Sequence, residues 1–204
     1  MMKKYLLVFV AFVMGVAAWG QSASKHLTFK ELPIDGTQEE FARKLERIGF
    51  TFVRVDSEGT MLAGGVAEYP DCEVAVFTPR GVRDVSSVGV IFPGRTSWAE
   101  VMKDYSTLKN MLIRKYGTPD KVTEQFLCSM RPSSDDEKLN CLREDQCKYA
   151  TSFDIDEGDI LLQMGHDNHG VCYVTLGYRD KQNAANSSDW QPVEERAAGR
   201  RAVR

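Results

Sequence analysis

The densest group of chemically capable side chains in this sequence is the run from Gly165 to Cys172, Gly-His-Asp-Asn-His-Gly-Val-Cys. It gathers two of the chain's three histidines, an aspartate and one of its five cysteines. Neutral imidazoles with a thiolate or carboxylate form the donor set of a zinc site, provided that they converge tetrahedrally. His166 and His169 are therefore the candidate metal ligands, with Asp167 or Cys172 as a third donor. Spacing of this kind serves a metal best on a helix, where residues three apart are neighbours. Here the flanking residues alternate as in strands, and Asn168 and Gly170 are turn formers that tolerate positive φ. The pattern favours the tight end of a β-hairpin over a metal centre, and no metal or cofactor is expected. The competing chemistry is a nucleophile pair of Cys172 and His169. It needs an exposed, activated thiolate, whereas Cys172 shares a strand face with Val174 and Leu176 and reads as core.

Other catalytic signatures are weaker. No nucleophile elbow and no glycine-rich phosphate loop occurs. The acidic runs at residues 133–138 and 154–159 lack the ligand spacing of a calcium loop and read as a solvated loop and a hairpin turn. A glycosidase carboxylate pair leaves no local signature, because it is assembled in space. Gly64 and Gly65 fall in mid-strand, where they suit the close approach of a helix.

The compartment decides how the cysteines are read. Lys3 and Lys4 precede an uncharged apolar run from Tyr5 to Trp19, and the small residues Ala18 and Gly20 stand at −3 and −1 before Gln21. This is the pattern of a secretory signal peptide over residues 1–20, and the run is short for a bilayer span. The first cysteine is Cys72, far beyond the position of a lipid anchor. The expectation is a periplasmic or secreted protein with no stable membrane anchor after cleavage. Disulfides are then the default. Cys128 ends one predicted strand and Cys147 begins the next, so Cys128–Cys147 is the favoured bridge, with Cys141 in the intervening loop as the alternative partner. A bridge between Cys72 and Cys172 requires the fold to bring their strands together. The net charge of −3 argues against nucleic acid as a partner.

The elements that must position these residues are legible from periodicity. Residues 21–31 read as a loose polar lead. Thr37 and Glu40 make a capping box before the apolar stripe Phe41, Leu45 and Ile48, and Gly49 ends that helix. Four strand-like runs follow within residues 50–92, separated by turn chemistry at 56–59, 69–71 and 79–83. A second helix starts from Ser97 and Glu100, carries Trp98, Val101, Tyr105, Leu108, Leu112 and Tyr116 on one stripe, and stops at Gly117. Four more strand-like runs occupy residues 122–179, with residues 129–146 as a long polar loop between the first two. From Asp180 to Arg204 the composition turns polar and ends basic, as in a disordered tail.

The order of elements therefore repeats: one helix and four strands in residues 32–92, and again in 93–179. The predicted fold class is α+β, one antiparallel sheet of about eight strands with both helices on one face. The segments Ile34–Phe50 and Ser97–Pro119 resemble those of small exported proteins of Gram-negative anaerobes that have no established activity. The repeated helix-plus-four-strand unit is similar in topology to the β-lactamase inhibitory protein fold. That resemblance implies a sheet face that grips a protein partner, and it carries no residue roles.

The face left open by the helices is predicted to bear Phe77, Ile91, Leu161 and Tyr173 among Glu73, Lys148 and Gln163. Aromatic and aliphatic side chains with a polar rim suit a protein partner. The leading expectation is a non-enzymatic binding or inhibitory module. The alternatives are a structural or assembly component of the cell envelope, and an envelope hydrolase or redox protein. A hydrolase would show a cleft with perturbed acids, and a redox protein a reactive thiol.

Overall fold

The computed structural model describes residues 26–56, 59–79 and 81–184. The expected signal peptide, residues 21–25 and residues 185–204 lie outside the described residues. Two short strands, β1 (Thr28–Phe29) and β2 (Leu32–Pro33), precede the helix α1 (Gln38–Arg47). Thr37 Oγ1 accepts from Glu40 N at 3.3 Å, and Glu40 Oε2 accepts from Thr37 N at 2.9 Å, so the capping box closes. Gly49 stops the helix at φ 99°, a conformation that costs glycine little. Phe41 and Leu45 are fully buried, but Ile48, the third member of the stripe, is 44% exposed.

The chain then runs through β3 (Thr51–Asp56), β4 (Gly59–Val66), β5 (Tyr69–Phe77) and β6 (Ser87–Ile91). The second helix α2 (Trp98–Tyr116) is followed by β7 (Lys121–Phe126), a further helix α3 (Asp135–Arg143), and β8 (Cys147–Ile155), β9 (Gly158–His166) and β10 (Cys172–Asp180). A single turn of helix, α4 (Lys181–Ala184), closes the described chain. The eight long strands form one antiparallel sheet in the order β3-β4-β5-β6-β10-β9-β8-β7. Each unit is a meander, and the two meanders join through their last strands, β6 and β10. The first strand of each unit, β3 or β7, is left as an edge.

Register fixes the faces, because side chains directly opposite each other in a ladder share a side. Leu62, Val74, Val90, Leu176, Leu162 and Thr151 form one continuous cross-strand row beneath the helices. α1 packs over β3, β4 and β5, and α2 over β8, β9 and β10. Trp98, Val101, Tyr105, Leu108 and Leu112 of α2 are all buried. Each such leucine contributes about 1.5–3 kcal/mol by leaving water. The Tyr105 hydroxyl finds its partner in Thr151 Oγ1 at 2.6 Å, both within the core. Arg95 and Tyr69 are drawn to one buried carboxylate on α2: Arg95 Nε donates to Asp104 Oδ2 at 2.6 Å and Tyr69 Oη to Oδ1 at 3.1 Å. This cluster ties the linker between the units to the start of β5.

Several expectations are corrected. The second turn of the meander falls at Ala67 and Glu68, not at residues 69–71, which already belong to β5. Ala67 takes φ 53° just past a bulge between Gly64 and Val66, so the chain reverses two residues earlier. The supposed loop 129–146 contains α3, capped by Ser134 and Glu137, with Leu139 and Leu142 buried. Within the lead 21–31, Leu27 and Phe29 are core residues, so residues 26–31 are not loose. The tail does not begin at Asp180. That carboxylate is fully buried and accepts from Leu27 N at 2.6 Å and Asn183 N at 2.9 Å. His26 Nδ1 lies 3.1 Å from it, so Asp180 clasps the two ends of the described chain together. Gly64 makes room for a ring rather than for a helix: a Cβ there would meet Phe50 Cδ1 at 2.5 Å.

Candidate binding face

Alternation places every second residue of the eight strands on the side away from the helices. Three cross-strand rows can be followed there. One runs Phe77, Ser87, Arg179, Asp159, Asp154. The next runs Met61, Ala75, Gly89, Gly177, Leu161, Ser152, and the third Ala63, Glu73, Ile91, Thr175, Gln163, Ala150. Tyr173 sits one row further, opposite Gly165, and Lys148 opposite Gln125. Phe77, Ile91, Leu161, Tyr173, Glu73, Lys148 and Gln163 thus share this one face.

The middle of the face is floored by small residues. A Cβ at Gly177 would meet only Leu161 O, at 3.9 Å, so the space above it is open. At Gly89 a Cβ would touch the Phe77 ring at 3.3 Å, which places that ring over the glycine. Gln163 and Thr175 are each 5% exposed and Ala75 6%. Gly89 and Gly177, directly opposite each other, make this part of the face a shallow trough between larger side chains. Phe77, Ile91, Leu161 and Tyr173 are half-buried along it, and Glu73 and Lys148 are exposed.

At the end of the face formed by the Phe77 row the charged side chains are paired. Arg179 Nη1 donates to Asp159 Oδ2 at 3.1 Å. Lys181 Nζ bonds Asp154 Oδ1 and also donates to Ile155 O at 2.6 Å. The bond to Asp154 pushes the Lys181 ammonium pKa above its ordinary value. Tyr173 Oη donates to His166 O at 3.2 Å, which fixes the ring along the strand end.

The histidine-rich segment is a hairpin turn. Asp167 Oδ1 accepts from the backbone N–H of His169 at 2.8 Å and of Val171 at 2.9 Å, and Gly170 takes φ 77°. His166 contacts Asp167 O through Nδ1 at 2.8 Å and Asp145 Oδ1 through Nε2 at 3.1 Å. His169 is exposed at the turn tip. The turn holds itself together through Asp167, and among the described residues no three metal-ligating side chains converge. Across the ladder Cys172 faces His166, not His169. Its thiol is fully buried and burial pushes its pKa up, which is the opposite of what a nucleophile needs.

The disulfide joins Cys128 to Cys141, not Cys128 to Cys147. The ladder explains the difference: β7 ends at Phe126, which is the residue opposite Cys147. Cys128 has already passed the strand end, where α3 offers Cys141 from its last turn. Cys72 and Cys172 lie on strands separated by β6 and are unbridged. A helical reading of Asp135–Arg143 was available from the Ser134–Glu137 capping box and the Leu139–Leu142 pair, and it would have placed Cys141 correctly. Among the described residues no helix is long and apolar enough to cross a membrane. Comparison with protein-family models, with curated proteins and with solved structures found no match for this chain.

Proposed function

We propose that this chain is an exported, non-enzymatic protein-binding or inhibitory module that seats a protein partner on the open face of its sheet. Export rests on the pattern of residues 1–20, and a disulfide suits an oxidising compartment. The observation that carries the binding role is the trough. Its Gly89–Gly177 floor lies between Ile91, Leu161 and the ring of Phe77, on a side of the sheet that no described element covers. A floor of glycine and alanine admits a protruding apolar side chain from another protein, and the surrounding larger residues exclude water from the contact. The backbone groups beneath are already spent on the sheet ladder, so recognition falls to side chains and shape.

The test is cross-linking in the native host with the tagged, exported chain, followed by mass spectrometry. A single protein enriched with the wild type, and lost when Phe77 and Tyr173 are changed to alanine, is the expected result. Enrichment unchanged by those substitutions would remove the open face from the account.

A further inference from the structure

We infer that β3 is the seam of a twofold homodimer. β3 ends the sheet, so its outer row of N–H and C=O groups pairs with no described strand. Thr51 to Val55 are all exposed. Phe52 is 48%, Val53 50% and Val55 63% exposed, and Ile48 at the end of α1 adds a fourth apolar side chain at 44%. Natural edge strands are kept from pairing by charge, by short length, by a bulge or by a covering element. The bulge here, between Phe52 and Arg54, adds Val53 to the apolar surface instead of hiding it. From Thr51 to Val55, β3 carries one charge, Arg54, beside three exposed apolar side chains, whereas the opposite edge strand, β7, exposes Val122 at 44%, begins at Lys121 and has Glu124 held by Lys109 of α2 at 2.6 Å.

The occupant follows from the shape of the patch. Phe52 stands opposite Leu62, and Val55 opposite Thr60, so both lie on the helix side of the sheet. Ile48 belongs to the helix layer above them. An added peptide strand would cover the sheet residues and leave Ile48 in water. A second copy covers both layers, because it brings its own Ile48, Phe52 and Val55. With a twofold axis normal to the sheet, β3 meets β3 of the other copy antiparallel, and both α1 helices stay on the same side. The two apolar sets then face each other between the two α1 helices. Ile48, the exposed last member of the α1 stripe, thereby acquires a partner. The open faces of both copies fall on one side, as one continuous surface. The inference does not depend on what binds there.

Sedimentation velocity of the full exported chain, from micromolar to millimolar concentration, tests the seam. The wild type is expected to be a dimer whose dissociation constant rises at least about tenfold in Phe52→Lys and in Val55→Lys. Phe52 is 48% and Val55 63% exposed in the single chain, so thermal melts should show the variants folded. Val122→Lys, on the β7 edge, should leave the dimer intact. Amide exchange over residues 51–55 should slow as wild-type concentration rises. A wild type that stays monomeric throughout, or a dimer unaffected by both β3 variants, would overturn the inference. So would dissociation by Val122→Lys alone.

Discussion

Replacing Gly64 by alanine probes a close ring contact in the first unit. The added Cβ would lie 2.5 Å from Phe50 Cδ1 and 2.9 Å from Cγ and Cε1. Phe50 is 5% exposed, and its ring packs against Phe29 at a centroid distance of 6.2 Å, so it has little room to retreat. Overpacking of this kind costs about 1–3 kcal/mol. For a domain of this size that corresponds to a melting temperature lower by about 2–4 °C for each kcal/mol. Phe50→Leu alone leaves a partial cavity and costs about 1–2 kcal/mol. If the crowding is the cause, the double variant should be more stable than the sum of the two single losses by at least about 1 kcal/mol. Urea unfolding followed by circular dichroism measures all four corners of the cycle. Strict additivity, or a Gly64→Ala protein as stable as the wild type, would show that the ring does not fill the space over the glycine.

Three further outcomes follow from the core and the cysteines. Changing Cys128 or Cys141 to serine opens a bridge of sequence separation 13 and should cost about 3 kcal/mol; peptide mapping of the unreduced protein should recover Cys128 with Cys141 and would contradict the structure if it recovered Cys128 with Cys147. Tyr105→Phe strands the fully buried Thr151 hydroxyl and should cost about 1–3 kcal/mol in the same urea assay, whereas an unchanged midpoint would deny that bond. Burial pushes the Cys72 thiol from an ordinary 9.0 up to about 11. Its neutral form is thus favoured by folding, so that share of stability is complete below pH 9 and lost as pH rises towards 11. Cys72→Ala should flatten the fall in part, the remainder belonging to Cys172 and to Tyr69, Tyr105, Tyr149 and Tyr178, all of which burial also pushes up. An identical slope in wild type and variant would remove the thiol from that account.

What could be read from the sequence was what local chemistry decides. Thr37 with Glu40, and Ser97 with Glu100, mark helix starts because their oxygens satisfy N–H groups that a helix leaves orphaned. Alternation in residues 72–77 separates Val74 and Val76 from Glu73, Ala75 and Phe77, so the two sheet faces were legible before any pairing was known. Strand order was not legible. Nothing near Val88 or Leu176 says that β6 and β10 meet, because that contact is made by two chain segments far apart in sequence. α3 was hidden by its composition: one apolar pair, Leu139 and Leu142, in a charged stretch gives too narrow a stripe to stand out. Without α3, Cys141 has no fixed place and Cys147, at the start of β8, looks the nearer partner for Cys128. Polarity alone marks the lead and the tail as loose, while the buried Asp180 carboxylate that fastens residues 26–27 and 183 draws its partners from both ends of the described chain. The trough on the open face depends on glycines from neighbouring strands meeting in one row, which only the register shows.

The central claim is that a protein partner occupies the open face. Its most direct test places a photo-reactive side chain at Leu161 on that face and, separately, at Arg114 on the outer side of α2. Each protein is then irradiated in the native host and its adducts are identified. The account predicts one reproducible protein adduct from position 161 and none of it from position 114. The same adduct from both positions, or an adduct only from 114, would contradict it.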